Sequence, residues 1–398
     1  MTTDLRRDPA TTLPTVDGAT LAGRIFVPGH GPRLVVVRGA ELVDITDLGP
    51  TMAHLTELPD AAARIAAEAA RSTRTVHDLA TVLASTAARA DSARGTDPAP
   101  ELAEPVLLAP TDLHALKAAG VTFARSMLER VIEEQVGGDA AMAVQVRDQI
   151  QDQLGESVRD VRPGSPEALA VLEVLRGNGL WSQYLEVGLG RYPEIFTKAQ
   201  VLSAVGHGAD VGVSAISSWN NPEPELVLIV DSTGVPRGVT LGNDVNLRDV
   251  EGASALLLPL AKDNNASASL GPFIRFFDNS FELDEVSSLS ITMRIDGTDG
   301  FHLEATAPQS EASRSAQDLV THAIGRRHQY PDGLALYCGT PFAPTQDRDA
   351  PGSGFTHHVG DVVQIAAPEL GTLVNHVVTS EEAPRWEYGI RDLLRDLA

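Results

Sequence analysis

The most constraining feature of the chain is a pair of glutamates directly before a run of five apolar residues. Glu223-Pro224-Glu225 leads into residues 226–230, which are Leu-Val-Leu-Ile-Val. Because a β-strand alternates its faces with a period of two residues, both carboxylates project from the same face. Asp231-Ser232-Thr233-Gly234 is typical of a turn, so the next extended segment, which reaches Asp244, returns as the second strand of a hairpin. The sequence therefore predicts three carboxylates at one end of this hairpin.

These three carboxylates are candidate metal ligands. Carboxylates that enter an apolar environment need a compensating positive charge, and Mg²⁺ or Mn²⁺ prefers oxygen ligands of this kind. We therefore predict a divalent cation, Mg²⁺ or alternatively Mn²⁺, bound by Glu223, Glu225 and Asp244. The other interpretation is that the two glutamates lie on a solvated strand face, as most isolated pairs of this kind do. The apolar run after them favours the metal site, and a metal enzyme is the leading hypothesis.

The net charge and the cysteine content exclude several classes of protein. The chain has 398 residues, of which 43% are hydrophobic, and a formal net charge of −23. A surface this acidic disfavours nucleic acids and anionic membranes as partners. Cys338 is the only cysteine, so neither an internal disulfide nor a cysteine-based zinc site is expected. Because no apolar signal core follows Met1 and no apolar span reaches membrane length, we predict a cytoplasmic protein.

Composition shifts along the chain predict two domains joined by a linker. Residues 1–90 indicate a small N-terminal α/β domain with short strands followed by two helices. Residues 91–106 are rich in Asp, Pro, Ala and Glu and lack apolar periodicity, which is typical of a linker. For residues 107–398 we predict a catalytic domain, with a helical insertion at about 124–179 and short β-type runs after it. The predicted fold class is α+β.

Local patterns place individual elements within this frame. The predicted strands of the N-terminal domain are 21–27, 34–37 and 42–45. The predicted helices are 60–71, 75–87, 124–136, 139–154 and one that begins at Pro166 after a Ser165 cap and ends near Gly177.

Five short motifs, in this order, resemble those of the fumarylacetoacetate hydrolase superfamily. They are Phe196-Thr197-Lys198, Glu223-Pro224-Glu225, Asn243-Asp244 with Arg248-Asp249 four residues on, Lys262, and Gly339-Thr340-Pro341. The resemblance extends from about residue 107 to the end of the chain. It implies a mixed β-roll catalytic fold and a divalent metal held by the three carboxylates above.

The resemblance also implies roles for polar residues around the metal. Lys262 is expected to take part in catalysis. Substrate binding is expected of Lys198, Thr340, Arg248, Glu251 and Asn264. The two lysines would neutralise charge on the substrate, and the Thr340 hydroxyl would hydrogen-bond its carboxylate. Outside this context both lysines would be interpreted as ordinary surface residues.

One departure from the family's hydrolases bears on the reaction. Those hydrolases carry a Gly-x-Asn-Tyr segment that leads to a histidine and, three residues later, to a glutamate. In the matching run, residues 120–129, Ser126 takes the place of the histidine while Glu129 remains. Without the histidine, a water molecule loses its usual base for attack on a carbonyl carbon. Glu251 also stands where many of these hydrolases have glutamine.

Three further segments are similar to a narrower branch of the superfamily, the 2-keto-3-deoxy sugar-acid dehydratases. They are residues 219–225, 262–267 and 328–333. The resemblance implies a Mg²⁺-dependent dehydration of a 2-keto-3-deoxypentonate, above all 2-keto-3-deoxy-D-xylonate, to 2,5-dioxopentanoate and water in oxidative pentose catabolism. The partner would be a small 2-keto acid, and the family suggests a homodimer or a homotetramer.

Glu129 is the candidate general acid/base of this reaction, with Ser126 in a proton relay. Burial beside an apolar helix face would move the pKa of Glu129 toward the working pH. Alternatively, Glu129 is an exposed ion-pair partner of a nearby arginine on the same helix. Residues 126–179 are expected to act as a lid that becomes ordered when substrate binds.

Three other functions stay open. An acylpyruvate hydrolase would cleave a C–C bond at the same metal, but the missing histidine argues against it. A 2-keto acid decarboxylase is a weaker alternative. A non-catalytic sensor of sugar acids is disfavoured because three converging carboxylates destabilise a protein that binds no cation there.

Overall fold

A computed structural model describes residues 4–72, 74–96, 101–143, 147, 161–177, 181–351 and 353–398. The strands of these residues are β1 (Leu21–Val27), β2 (Gly31–Arg38), β3 (Glu41–Asp44), β4 (Val76–Asp78), β5 (Val106–Leu107), β6 (Ala115–Gly120), β7 (Glu194–Ala199), β8 (Asp210–Val213), β9 (Asn220–Asn221), β10 (Pro224–Val230), β11 (Pro236–Asp244), β12 (Asn246–Leu247), β13 (Ala268–Phe276), β14 (Ser290–Asp296), β15 (His302–Pro308), β16 (Leu334–Tyr337), β17 (Val362–Ala367) and β18 (Gly371–Thr379).

The α-helices of the same residues are α1 (Pro9–Thr12), α2 (Met52–Thr56), α3 (Ala61–Arg71), α4 (Leu79–Ala93), α5 (Ala124–Gln135), α6 (Pro166–Gly177), α7 (Gln183–Leu189), α8 (Arg248–Ala253), α9 (Leu258–Lys262), α10 (Ala316–Ala323) and α11 (Ile390–Leu397). Short 3₁₀ helices occupy Leu5–Arg7, Thr46–Leu48, Ala255–Leu257, Leu283–Ser288 and Gln309–Glu311. Within the described part of the chain, no helix combines the length and the apolar composition that crossing a membrane requires.

Two mixed sheets form the body of the protein. The larger has eleven strands, in the order β4-β3-β2-β1-β13-β11-β10-β16-β6-β7, with β5 paired to β1. The smaller has the order β15-β14-β17-β18-β8. Most neighbours are antiparallel, but β16 runs parallel to β6 and β18 runs parallel to β8. Mixed sheets in which most neighbouring strands are antiparallel agree with the predicted α+β class.

The N-terminal strands extend the sheet that carries the candidate ligands. Strand β1 pairs with β13 through Leu21 opposite Arg275 and Ala22 opposite Ile274. The predicted linker is also structured at both ends, because residues 91–93 complete α4 and β5 pairs with β1. The open edge of β1 finds its hydrogen-bond partners in a strand about 250 residues away in sequence. The sheet therefore crosses the predicted boundary at 91–106, and the division into two domains stays a prediction.

Strand β10 is buried on both faces, which gives the carboxylates a rigid support. Leu226, Leu228 and Val230 pack in the core shared with the smaller sheet. Val227 and Ile229 pack on the opposite face, in a core that includes residues of α2 and α3. Each fully buried side chain of this size contributes about 1.5–3 kcal/mol. The predicted hairpin is confirmed, since β10 pairs with β11 across the turn that begins at Asp231.

One helix prediction is wrong at its start. Residues 76–78 of the predicted helix 75–87 form strand β4, in which Asp78 pairs with Glu41 of β3. The helix begins at Leu79, because the Asp78 carboxylate accepts a hydrogen bond from the Thr81 N–H at 2.8 Å and so caps the first turn. It then continues to Ala93, beyond the predicted end.

The helical insertion forms its own small core beside the end of β10. Met127 and Val131 of α5 pack with Leu172 of α6, Leu185 of α7 and Trp219. Helix α6 starts where the Ser165 cap predicted it, with the Ser165 hydroxyl accepting from the Ala168 N–H at 3.1 Å. Of the predicted helix 139–154, residues 140–143 and 147 are helical. The rest of that prediction, and the middle of the predicted lid, lie outside the described residues.

Candidate metal and catalytic site

The three predicted ligands meet at the open end of the β10–β11 hairpin. Glu223 immediately precedes β10, Glu225 lies within it, and Asp244 is the last residue of β11. The pairing of Glu225 with Gly242 sets the register, and the Asp244 N–H donates to the Glu223 carbonyl oxygen at 3.0 Å. One oxygen from each carboxylate lies within 4.8 Å of the others. All three residues are buried.

Hydrogen bonds fix two of the candidate ligands, Glu223 through its backbone and Glu225 through its carboxylate. The Asn243 side-chain oxygen accepts from the Glu223 N–H at 3.1 Å. The Gly339 N–H donates to the Glu225 carboxylate at 2.6 Å. Gly339 has φ +90°, and a Cβ there would overlap the Thr122 hydroxyl. Only glycine therefore brings this backbone donor so close to Glu225.

The electrostatics of the triad call for another positive charge. Burial raises the pKa of Glu225, and the carboxylates of Asp244 and Glu223 raise it further. Burial raises the pKa of Glu223 as well. For Asp244 burial acts in the same direction, but Lys198 and Lys262 outweigh it and hold that pKa below its usual value. Three hard oxygen donors without nitrogen or sulfur fit Mg²⁺ or Mn²⁺, so the residues present suit a divalent cation.

Lys198 and Lys262 are buried partners of the triad, so their interpretation as surface lysines is wrong. The Lys198 ammonium lies 2.9 Å from Asp244 Oδ1 and donates to the Val245 carbonyl oxygen at 3.1 Å. The Lys262 ammonium lies 2.5 Å from Glu223 Oε2 and 3.3 Å from Asp244 Oδ2. Lys198 thus supports Asp244 from behind, whereas Lys262 lines the cavity.

A small cavity of about 20 Å³ lies in front of the triad. Seven predicted site residues line it, namely Glu223, Glu225, Asp244, Lys262, Glu251, Ser126 and Thr340. The Thr340 hydroxyl lies 2.8 Å from the Phe342 carbonyl oxygen, and the Ser126 hydroxyl donates to the Phe123 carbonyl oxygen at 3.0 Å. A cavity of this size holds about one water molecule, so a larger molecule enters only after one wall moves.

Glu129 lies outside this cavity and is held in ion pairs. Its carboxylate accepts two hydrogen bonds from Arg147, at 3.1 and 2.9 Å, and one from Arg248 at 3.2 Å. Burial raises the pKa of Glu129, but the Arg147 hydrogen bonds and the Arg248 charge outweigh it, so the pKa lies below its usual value. The expected shift toward neutral pH is therefore not found. The alternative is not matched as stated either, because Glu129 is not exposed and the two arginines that pair with it lie outside helix α5.

Three other predicted residues also lie away from the cavity. Lys198 stands behind Asp244, as described above. Arg248 donates to the Glu133 carboxylate at 2.7 Å and lies over the Trp219 ring at 4.4 Å, so it ties the insertion to the hairpin. The Asn264 side chain donates to the Leu260 carbonyl oxygen at 2.9 Å and faces a different cavity, near Trp386. Their roles in substrate binding stay predictions.

Glu194 lines the cavity and was not among the predicted residues. It begins β7 opposite Gly120 of β6, and a Cβ at position 120 would overlap its carboxylate. Burial and the negative charge of Glu251 raise the pKa of Glu194 to about 7. A carboxyl group with such a pKa serves as a proton acceptor near neutral pH. A signal was present in the sequence, because Glu194, Phe196 and Lys198 follow one another at a spacing of two residues and therefore share one face of a strand.

Arg130 of α5 is a second cavity residue that the sequence did not predict. Its guanidinium forms ion pairs with Glu133, with Glu223 and, at 3.3 Å, with Glu251. The residue is buried. An arginine in a helix rich in charged residues carries no sequence signal for such a position, because arginines usually lie on the solvated face.

Comparisons with known proteins agree with this fold. Residues 187–378 match the family model described as "Fumarylacetoacetate (FAA) hydrolase C-terminal". The "2-dehydro-3-deoxy-D-arabinonate dehydratase" of Saccharolobus solfataricus is 33% identical over 185 residues, covering 46% of this chain and 58% of that protein. The "Probable 2-keto-3-deoxyxylonate dehydratase" of Haloferax volcanii is 32% identical over 196 residues, covering 49% of this chain and 64% of that protein. The chain thus spans less than two thirds of either relative.

Solved structures share the fold over most of the chain. A "2-keto-3-deoxy-D-arabinonate dehydratase complexed with magnesium and 2,5-dioxopentanoate" aligns with a TM-score of 0.58 at 20% identity, covering 90% of this chain and 99% of that chain. A "2-hydroxyhepta-2,4-diene-1,7-dioate isomerase" from Mycobacterium marinum aligns with a TM-score of 0.51 at 17% identity, covering 91% and 99%. At these identities the likeness concerns the fold alone, and it confirms the predicted fold class.

Proposed function

We propose that the chain, whose residues 187–378 match the fumarylacetoacetate hydrolase family model, belongs to that superfamily and is a metal-dependent dehydratase of a 2-keto-3-deoxypentonate. The product would be 2,5-dioxopentanoate. The observation that carries the proposal is the cavity itself, in which three carboxylates, Lys262 and Glu194 surround one small space. Both curated relatives bear the names of pentonate dehydratases.

The two names given to the substrate describe one molecule in the D series. A pentonate that has a keto group at C2 and no hydroxyl at C3 keeps C4 as its only stereocentre. D-xylonate and D-arabinonate share the same configuration at C4, so their 2-keto-3-deoxy derivatives are identical. We therefore propose the (4S)-4,5-dihydroxy-2-oxopentanoate ion as the substrate, and its C4 epimer is the informative competitor.

The residues of the cavity suggest how the reaction proceeds. A divalent cation on the triad would supply Lewis-acid polarisation of the 2-keto group. Glu194 would take a proton from C3, and the Lys262 ammonium would balance the negative charge that develops on the keto oxygen. The C4–O bond then breaks, and Glu194 returns its proton to the leaving hydroxide, which departs as water. A hydrogen shift from C5 to C3 and tautomerisation of the resulting enol complete 2,5-dioxopentanoate.

We assign Glu194 rather than Glu129 to the proton transfer. Glu194 lines the cavity, whereas Glu129 is engaged by Arg147 and Arg248. Thr340 and Ser126 stay candidates for contacts with the substrate, because both line the same space. Helix α5 supplies Ser126 and Arg130 to one wall, so the proposed opening for substrate involves this helix.

Two competing functions are less well supported by the same cavity. An acylpyruvate hydrolase needs a base for its water molecule, and no histidine of the described residues lines the cavity. A 2-keto acid decarboxylase on this metal platform has no residue that specifically favours it.

Oligomeric state is also a proposal, a homodimer or homotetramer, to be measured by light scattering in solution.

Product analysis tests the dehydratase proposal directly. Metal-stripped protein is incubated with the proposed substrate, with and without Mg²⁺, and the products are followed by NMR. We expect 2,5-dioxopentanoate only when Mg²⁺ is present. If neither the substrate nor its C4 epimer is converted while an acylpyruvate is cleaved, the hydrolase replaces the dehydratase. Glu225→Gln separates an enzyme from a sensor, because a metal-independent sensor would retain its affinity for the sugar acid.

A further inference from the structure

Both oxygens of the Glu223 carboxylate are already engaged by cationic side chains. Arg130 forms an ion pair with Oε1, and the Lys262 ammonium lies 2.5 Å from Oε2. A divalent cation that binds this carboxylate is repelled by both cationic side chains, and its binding is favoured if one of them moves away. The metal site therefore contains its own competitor, and the structure indicates which of the two cations is exchangeable.

Lys262 is the less exchangeable partner. Among the described residues its ion pairs are with Glu223 and Asp244 alone, and both are candidate ligands. If Lys262 withdrew, its ammonium would be left buried without a carboxylate, which is costly. Its backbone is also engaged, because the Lys262 carbonyl oxygen accepts hydrogen bonds from Lys198 and from the Ser267 hydroxyl.

Arg130 has other partners when it leaves Glu223. Its guanidinium also pairs with Glu133 and lies 3.3 Å from Glu251, and neither carboxylate is a candidate ligand. Those two ion pairs compensate its charge after the exchange, so only one contact must break. Arg130 also belongs to α5, the helix that forms a wall of the cavity, rather than to the sheet.

We propose that Arg130 is a built-in competitor of the divalent cation. In the metal-free protein it neutralises Glu223, and metal binding transfers it to Glu133 and Glu251 together with a shift of α5. The inference rests on the proposed metal site of the dehydratase and deepens it. Its consequence is an ordered mechanism, in which the cation must bind before the cavity wall carried by α5 can admit substrate.

Metal affinity is the measurement that tests this inference without turnover. Mn²⁺ binding to metal-stripped protein is measured by titration calorimetry for the wild type, Arg130→Met, Arg130→Lys and Arg248→Met. We expect Arg130→Met to bind Mn²⁺ at least about tenfold more tightly than the wild type, because Glu223 is no longer occupied. Arg130→Lys retains the charge and should recover most of the wild-type affinity.

Arg248→Met is the matched control. It removes a buried guanidinium that also pairs with Glu133 but touches none of the three candidate ligands. Its Mn²⁺ affinity should stay within about threefold of the wild type, since the ion pairs of Arg248 are with Glu129 and Glu133 and not with a candidate ligand. An equal gain in Mn²⁺ affinity in both methionine variants would mean that the loss of any nearby positive charge favours metal binding, and it would overturn the specific competition by Arg130. An unchanged or weaker Mn²⁺ affinity of Arg130→Met would also overturn it.

Hydrogen exchange of the wild type covers the case in which a variant does not fold. We expect Mn²⁺ to accelerate amide exchange in residues 124–135, and unchanged or slower exchange would overturn the shift of α5. The outcomes also separate this inference from the proposed function. A tenfold gain without dehydration of any pentonate would leave the competition standing and end the dehydratase proposal. Turnover of a pentonate without a gain in Mn²⁺ affinity in Arg130→Met would support the dehydratase proposal and overturn the competition.

Discussion

Gly120 lies directly opposite Glu194 in the β6–β7 pair, and the absence of a side chain at Gly120 makes the space for the Glu194 carboxylate. The distal end of a glutamate is flexible, so a methyl group at position 120 would displace the carboxylate rather than unfold the strand. This relationship offers a way to move the proposed base without removing it.

Gly120→Ala should therefore impair catalysis while the protein stays folded. A displacement of about 1 Å of a catalytic group can cost roughly a hundredfold in rate, and we expect a loss of that order in kcat. The measurement is steady-state dehydration together with a melting curve. Gly177→Ala is the matched control, because a Cβ there meets no atom within 4 Å. Normal kcat in Gly120→Ala would mean that the position of Glu194 does not matter.

Glu194→Gln should lower kcat/KM by about 10²- to 10⁴-fold, the usual contribution of a general base. Only the ionised carboxylate accepts a proton, and burial with the charge of Glu251 raises its pKa to about 7. For the wild type, kcat/KM should then fall as the pH drops below the pKa of Glu194, which gives the pH profile an acidic limb. In the metal-bound enzyme this limb should lie at or below about pH 7, because a bound cation lowers the pKa of a nearby carboxyl group.

The control for this prediction is Glu129→Gln. Glu129 is paired with Arg147 and Arg248 outside the cavity, so its replacement should cost less than about tenfold in kcat and should keep the acidic limb. A loss as large as that of Glu194→Gln, with disappearance of the limb, would return the role of base to Glu129.

Local features of the sequence were sufficient to predict the hairpin and the three carboxylates that meet at its end. The alternation of Glu223 and Glu225, the turn at Asp231 and the return to Asp244 depend on neighbouring residues, and the structure pairs them as expected. The position of β1 beside β13 could not be predicted in this way. Strand pairing over a long separation depends on which edges are free in the assembled sheet rather than on any local signal.

The same distinction between local and long-range determinants applies to the cavity residues. Glu194 was within reach of the sequence, since it shares a strand face with Phe196 and Lys198. Arg130 was not, because its position depends on how α5 packs against the hairpin. For Glu129 the sequence predicted the burial, which by itself raises the pKa. It did not predict the arginines that lower the pKa, because they come from outside helix α5, and Arg248 is 119 residues away. Partners of this kind decide the direction of a pKa shift.

Removal of one candidate ligand should make the melting temperature of the protein independent of Mg²⁺. Glu225→Gln is expected to abolish the rise in Tm that Mg²⁺ causes in the wild type, a rise equivalent to about 2.7 kcal/mol at a hundredfold excess over Kd. In the absence of metal the variant should melt at least about 2 °C higher than the wild type, because a neutral amide replaces a buried carboxyl beside Asp244 and Glu223. Calorimetric melting with and without Mg²⁺ measures both effects.

The control for that melting experiment is Glu41→Gln, at an exposed carboxylate that pairs with Arg38. This variant should follow the wild type in both conditions, since exposed ion pairs contribute little. A metal-free Glu225→Gln protein that melts well below the wild type would contradict the view that the three carboxylates repel one another.

His207 should make the stability of the fold depend on pH. Its ring lies between the N-terminal segment and β18, with Nε2 3.1 Å from the Arg6 carbonyl oxygen and Nδ1 3.0 Å from the Thr372 carbonyl oxygen. Burial lowers the pKa of His207 from 6.5 to about 4; hydrogen bonds to the Arg6 and Thr372 carbonyl oxygens oppose this shift, and the Arg6 charge adds to it. The folded state thus keeps the ring neutral, while the unfolded chain takes up a proton below pH 6.5. Its contribution is therefore complete above pH 6.5 and is lost as the pH falls toward 4.

His207→Gln measures this contribution. The variant lacks the titrating ring, so the difference in unfolding free energy between wild type and variant should shrink by about 2–3 kcal/mol from pH 7.5 to pH 4.5. Urea denaturation at the two pH values gives both quantities. His30→Gln is the control, because the exposed His30 ring lies beside the Pro28 carbonyl oxygen and not in the core, and it should show no such change. If the gap between wild type and His207→Gln were the same at both pH values, the pKa of His207 would be the same in the folded and unfolded states, and burial would not lower it.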